Sequence, residues 1–197
     1  VSNNSFKKQK VFGEVKIILR NIMFLIKKFF ARKRYWYFLP KKFRYFIWNI
    51  KTLKKYNTHT GQYYLPAFAF QDGIRNKIIN NEITDIKVFN KLKNFILPNT
   101  IVLDLGANFG QMSILWSQQK PNVKVYAFEA STYVFKILKK NVLINSCNVE
   151  PINALVGNKS IKNQLIRKSS LKKYPTYGTN KIEEVQRSSN ENTDKIK

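Results

Sequence analysis

The chain of 197 residues has one cysteine, Cys147, and one histidine, His59. A lone thiol excludes a disulfide framework and any C-x-x-C metal motif. One imidazole and one thiolate are too few for a zinc centre of the usual His/Cys kind. The sequence therefore predicts no metal site and a reduced, cytoplasmic setting. Acids are scarce too: eleven Asp or Glu face 36 Lys or Arg, a net charge of +25. Part of that excess comes with a composition rich in Lys, Asn and Ile and poor in Gly and Ala. No long uninterrupted hydrophobic run is present. The most apolar stretch, Val11 to Ala31, is broken by Glu14, Lys16, Arg20, Lys27 and Lys28, whereas a span needs roughly twenty mostly apolar residues. No small-residue cleavage pattern follows it, so it is not a signal peptide. Internal repeats are absent. A start at Val1 and an end in NTDKIK suggest a fragment.

The charge is unevenly spread. Residues 1–60 carry sixteen Lys or Arg and a single acid, Glu14. A field of that strength favours an anionic partner, either nucleic acid or an anionic membrane. Val15, Ile18, Ile22, Leu25, Ile26 and Phe29 recur at three- and four-residue steps, the pattern of an amphipathic helix. RKRYWYFLPKKFRYFIW follows, with aromatics between basic residues. Three readings of this 1–56 extension stand side by side. It is an interfacial anchor on the inner face of a membrane, a helical extension packed on the domain, or, third, a nucleic-acid contact.

Residues 57–197 read as the domain proper. Tyr63, Tyr64 and Leu65 end a short strand at Pro66, and Asp72-Gly73 is a turn signal. Residues 84–96 read as a helix capped by Thr84. An alternating pattern then begins. Thr100 to Leu105 reads as a buried strand, Gln111 to Gln119 as a helix, Val123 to Phe128 as a strand, Ser131 to Ser146 as a helix and Val149 to Val156 as a strand. Strand and helix alternating in this way predict a parallel, doubly wound α/β sheet. A further strand is expected near Ile161 to Arg167.

The string DLGANFG, Asp104 to Gly110, lies between the first of these strands and its helix. Glycine there permits a sharp turn and a close approach of backbone to ligand, at the strand end where open α/β sheets bind ligands. A dinucleotide fingerprint would be G-x-G-x-x-G, but Asn108 stands in the place of the middle glycine. Asp104 also suits a cation better than a pyrophosphate. S-adenosylmethionine (SAM), with a sulfonium and an ammonium, fits that charge logic. Glu129, ending the next strand about twenty residues on, can accept both ribose hydroxyls.

Together IVLDLGANFGQMSI, VYAFEA and NVEPINALVGN resemble the FkbM-type family of SAM-dependent methyltransferases over roughly Tyr63 to Gly157. The resemblance implies a class I methyltransferase fold, Rossmann-like, with SAM as cofactor and transfer to a hydroxyl of a glycan or small molecule. It implies cofactor contacts from Asp104, Gly106, Ala107, Asn108, Gly110 and Glu129, with Asn153 and Ala154 near the adenine. The family's later I-D-V-E-G-like strand has no counterpart here, so the sheet is expected to be truncated after its third core strand. No catalytic base stands out: His59 in THTG reads as a turn residue, and Tyr63, Tyr64, Asp72 and Arg75 read as packing or turn residues. Two alternatives remain: a nucleic-acid methyltransferase, and a non-catalytic remnant.

Overall fold

The computed structural model describes residues 38–157, 165–167, 176–177, 181–183 and 193–195. The amphipathic pattern between Val15 and Phe29 lies outside them. The described chain begins with helix α1 (Lys41–Asn49) and an antiparallel hairpin, β1 (Leu53–Thr58) and β2 (Gly61–Pro66). The hairpin thus begins within the segment assigned to the extension. Helices α2 (Gly73–Ile79) and α3 (Ile86–Leu92) follow, then a 3-10 turn over Lys93–Phe95. The alternating part comprises β3 (Ile101–Leu105), α4 (Gln111–Ser117), β4 (Lys124–Phe128), α5 (Thr132–Asn145) and β5 (Val149–Ile152). Strands β6 (Leu165–Arg167), β7 (Lys181–Glu183) and β8 (Thr193–Lys195) form a small antiparallel sheet in the order β7-β6-β8.

The central sheet is parallel, in the order β3-β4-β5. This is the α/β arrangement expected from the alternating sequence, with a Rossmann-like strand-helix succession and three core strands among the described residues. Val123, Val125, Ala127 and Val149 bury one face of it with Leu138, Val142 and Trp116 of the two helices. A second cluster joins the outer side of those helices to the hairpin, through Ile114, Val134 and Ile137 against Tyr63, Leu65, Ile78 and Phe109. The layers run sheet, helices, hairpin.

Three expectations fail locally. Asp72-Gly73 is not the turn itself, which Asp72 closes from behind with its N–H on the Ala69 carbonyl at 3.0 Å. Asp72 caps α2, its Oδ1 accepting the Arg75 N–H at 2.8 Å, the role a short carboxylate plays at a helix start. Thr84 does not cap α3, which starts at Ile86. The Thr84 N–H is donated to Gln111 Oε1 at 2.9 Å instead, and Ile86, Val88 and Leu92 stay exposed. Only Phe89 of that helix packs inward, 5.0 Å from the Trp116 ring.

The third failure concerns β3, which is not buried. It forms one edge of the sheet, and Ile101, Leu103 and Leu105 all face outward, Leu103 at 61% exposure. An apolar run signals burial on both faces, but α4 and α5 cover only the face bearing Val102 and Asp104. Parallel register puts Lys124, Tyr126 and Phe128 of β4 on the open face, where Lys124 also pairs with Glu150 at 3.0 Å. Leu143 of α5 is likewise exposed.

Candidate functional site at the ends of the parallel strands

The loop after β3 turns back over the end of β4. Gly106 and Ala107 both donate their N–H groups to the Phe128 carbonyl at 2.9 Å. Three of the next residues adopt left-handed backbone: Gly106 at φ 85°, Asn108 at φ 50° and Gly110 at φ 89°. Asparagine is among the few side chains that tolerate this region. Asn108 therefore serves the loop where a dinucleotide fingerprint has glycine. Its Oδ1 accepts the Phe109 N–H at 2.8 Å, and its own N–H goes to Glu129 Oε2 at 3.0 Å. The two glycines differ in surroundings. A Cβ on Gly106 would meet nothing within 4 Å, whereas one on Gly110 would lie 2.6 Å from Leu138 Cδ1. Gly110 is there for packing; Gly106 borders open space.

Asp104 and Glu129 stand at the ends of neighbouring parallel strands. Asp104 lies on the helix-covered face, where Ser113 of α4 donates its hydroxyl to Oδ2 at 2.5 Å. Glu129 accepts the Asn108 N–H on one oxygen and the Ser131 N–H, at 2.8 Å, on the other. Each carboxylate oxygen has a second lone-pair direction, so these bonds orient Glu129 without exhausting it. Burial raises the pKa of both acids. The Ser113 bond opposes the shift at Asp104; the Ser131 and Asn108 bonds oppose it at Glu129, while the nearby Asp104 charge adds to it. Two desolvated carboxylates with this mutual repulsion favour a cation between or beside them.

Asn153 follows β5 and clamps the end of β4: its Nδ2 donates to the carbonyls of Glu129 at 2.7 Å and Ala130 at 3.2 Å. Ala154 adjoins it, with its N–H on the Ile152 carbonyl. The eight residues singled out as cofactor contacts thus lie at the carboxyl end of the sheet, Asp104 within β3 and the other seven on the loops that follow the strands. His59 occupies the exposed hairpin turn, its N–H on Asn81 Oδ1 at 3.1 Å. Tyr63 is core, its hydroxyl on the Thr60 carbonyl.

Sequence reasoning missed several groups that hold the site. Ser113 gives no signal beyond its position one turn into α4. Gln111, buried at the start of that helix, ties Thr60, Glu82 and Thr84 together through its amide. Asp72 Oδ2 accepts the Tyr177 N–H at 2.6 Å and the Thr176 hydroxyl at 3.2 Å. This anchors a distant piece of chain beside Phe109 and Tyr133, whose rings flank that of Tyr177. Among the described residues no group of three or more His, Cys, Asp or Glu is placed to hold a metal ion.

No family model matches the chain, and no curated protein does. Solved structures do resemble part of it. A SAM-dependent methyltransferase from Aquifex aeolicus shares 22% identity over 47% of this chain and 47% of its own, with a TM-score of 0.34. Methanocaldococcus jannaschii Trm5 in complex with adenosine shares 20% over 56% of this chain and 32% of its own, at 0.39. A tRNA m1G37 methyltransferase from M. jannaschii shares 17% over 58% and 34%, at 0.37. The chain thus spans about a third to a half of the length of these proteins. Its α/β assignment rests on strand order, register and helix placement rather than on these partial overlaps.

Proposed function

We propose that this chain carries the cofactor half of a SAM-dependent methyltransferase domain, which begins with the hairpin at Leu53 rather than at residue 57, and that the residues before the hairpin form an extension. The observation that carries the reading is the pair Asp104 and Glu129: two half-buried carboxylates on adjacent parallel strand ends, flanking a loop open at Gly106. Asp104 and the backbone of Gly106, Ala107, Asn108 and Gly110 would hold the amino-acid end of the cofactor. Glu129, kept in one orientation by Asn108 and Ser131, would take the ribose hydroxyls, with Asn153 and Ala154 bordering the base. An NAD-type pyrophosphate is disfavoured twice, by the neighbouring negative charge and by the commitment of the Asn108 N–H to Glu129. Bound SAM supplies an activated methyl group on a good leaving group. The chain's task is then to fix its position and exclude water.

The resemblance to the FkbM-type family supports a hydroxyl acceptor on a glycan or small molecule. A nucleic-acid acceptor is the second reading, favoured by the basic residues of positions 1–60. Titration calorimetry tests the cofactor reading. SAM should give a saturable heat, NAD none, and Asp104→Ala should abolish the SAM signal. Equal heats from the chain and the variant would remove the site from Asp104. A shift on incubation with RNA or DNA that weakens with salt would favour the second acceptor reading.

A further inference from the structure

Among the described residues no helix is long and apolar enough to cross a membrane, yet α1 is exposed in an unusual way. Phe46 is 62% exposed and Phe43 is also exposed, stacked on it at 6.3 Å. Phe38, just before the helix, is 75% exposed. Ile47 turns inward and is buried. Lys41 and Lys42, between Phe38 and Phe43 in the chain, are exposed as well. The helix is tied to the domain where it ends: Lys51 Nζ sits 4.5 Å from the centre of the Tyr133 ring. No Asp or Glu occurs from residue 15 to residue 71. Exposed phenylalanines are costly in water and carry no group for a polar partner. Rings that reach the acyl boundary, with lysines at phosphate depth, are what an interfacial helix needs.

We propose that α1 docks the protein on an anionic bilayer surface, with Phe38, Phe43 and Phe46 inserted and Lys41 and Lys42 on lipid phosphates. An anionic bilayer complements the basic stretch around α1, which has no acid from residue 15 to residue 71, and the exposed rings of Phe38, Phe43 and Phe46 can enter its acyl boundary. The inference is independent of the cofactor reading, and its test does not involve SAM.

The whole chain should co-sediment with phosphatidylcholine vesicles containing phosphatidylglycerol, and much less with phosphatidylcholine alone. Phe38→Ser/Phe46→Ser leaves the charge unchanged but should weaken vesicle binding by about tenfold or more, given the transfer free energy of a phenylalanine side chain. Circular dichroism of that variant should be unchanged. Phe46→Trp should add, relative to the parent, an emission that shifts to the blue on vesicles and is quenched by lipids brominated high on the acyl chain. Undiminished sedimentation of the double serine variant, or an added indole emission in Phe46→Trp that vesicles leave unmoved, would overturn the proposal and leave only adhesion of a basic chain. A double serine variant that loses affinity for single-stranded RNA but not for vesicles would overturn it in favour of a base-stacking platform.

Discussion

Asn141 of α5 and Tyr64 of β2 are bonded to each other twice. The Tyr64 N–H donates to Asn141 Oδ1 at 2.6 Å, and Asn141 Nδ2 donates back to the Tyr64 carbonyl at 3.3 Å. Asn145, one turn on, repeats the exchange with Gln62 at 2.8 and 2.7 Å. A helical turn advances about 5.4 Å and two strand residues about 6.6–6.8 Å. Two asparagine amides four residues apart can therefore pair the free edge of a strand as a neighbouring strand would. This is how the hairpin is fastened to the helix layer.

The first prediction concerns this fastening. Asn141 is fully buried and its Nδ2 also holds the Phe109 carbonyl at 2.9 Å. Asn141→Ala leaves three backbone groups without that partner, the buried Phe109 carbonyl and the partly buried Tyr64 N–H and carbonyl, and should cost on the order of 3 kcal/mol in urea unfolding. Asn145→Ala, at a half-buried position, should cost about 1 kcal/mol. Equal, small effects at both would show that the hairpin is held by apolar contact alone.

Gly106 and Gly110 should separate binding from stability. Both have left-handed backbone, so alanine costs about 1–2 kcal/mol at either. At Gly110 the added methyl also collides with Leu138, and overpacking adds about 1–3 kcal/mol. At Gly106 the methyl points into open space, where the proposed ligand approaches. Gly110→Ala should therefore lower the melting temperature more, while Gly106→Ala should lose SAM binding at nearly full folding. Melting curves and calorimetry of the two variants check this, and the reverse order would exclude a ligand at Gly106.

Much of this is legible in the sequence, for identifiable reasons. The β-branched and apolar runs at 101–105 and 124–128 and the glycine loop between them are local signals, and those elements form within a residue or two of the positions read from them. The carboxylates at strand ends follow from strand boundaries alone. What sequence does not supply is what covers each surface. An apolar run is the same whether one or both faces are buried, so β3 reads as interior. Asn141, Asn145 and Gln111 look like ordinary polar helix residues until the hairpin is laid against them. The Asp72 to Tyr177 bond joins residues more than a hundred positions apart, and no pattern in either segment announces the other.

The raised carboxyls give a pH prediction. Burial lifts Asp104 above its ordinary 3.8 and Glu129 above 4.5. The folded chain then holds these protons more tightly than the unfolded chain. Their stabilising contribution is complete below the ordinary values and is lost as pH rises through the raised ones. Asp104→Asn keeps an acceptor for Ser113 without the charge. It should melt above the parent at about pH 7.5, and the gap should close towards about pH 4. SAM affinity of the parent should rise across the same window as the carboxylates ionise. A pH-independent gap in melting temperature would mean that Asp104 carries no desolvation cost.

The open face of the sheet leads to the last prediction. In β3 the side chains alternate, and Leu103 shares its face with Ile101 and Leu105, while Val102 and Asp104 share the covered face with Val125 and Ala127 across the strand. A charge on the first face stays in water; on the second it enters the core. Leu103→Lys should change unfolding free energy by no more than about 0.5 kcal/mol, and by placing a charge on an exposed parallel edge it should also suppress self-association. Val125→Lys, one strand inward at a fully buried position between Val102 and Val149, should prevent folding, because an unpaired ammonium there costs several kcal/mol. Urea titration with light scattering distinguishes the two. Severe destabilisation by Leu103→Lys would mean that the outer face of β3 is covered in solution by chain or partner, and that the sheet does not end in water at Leu103.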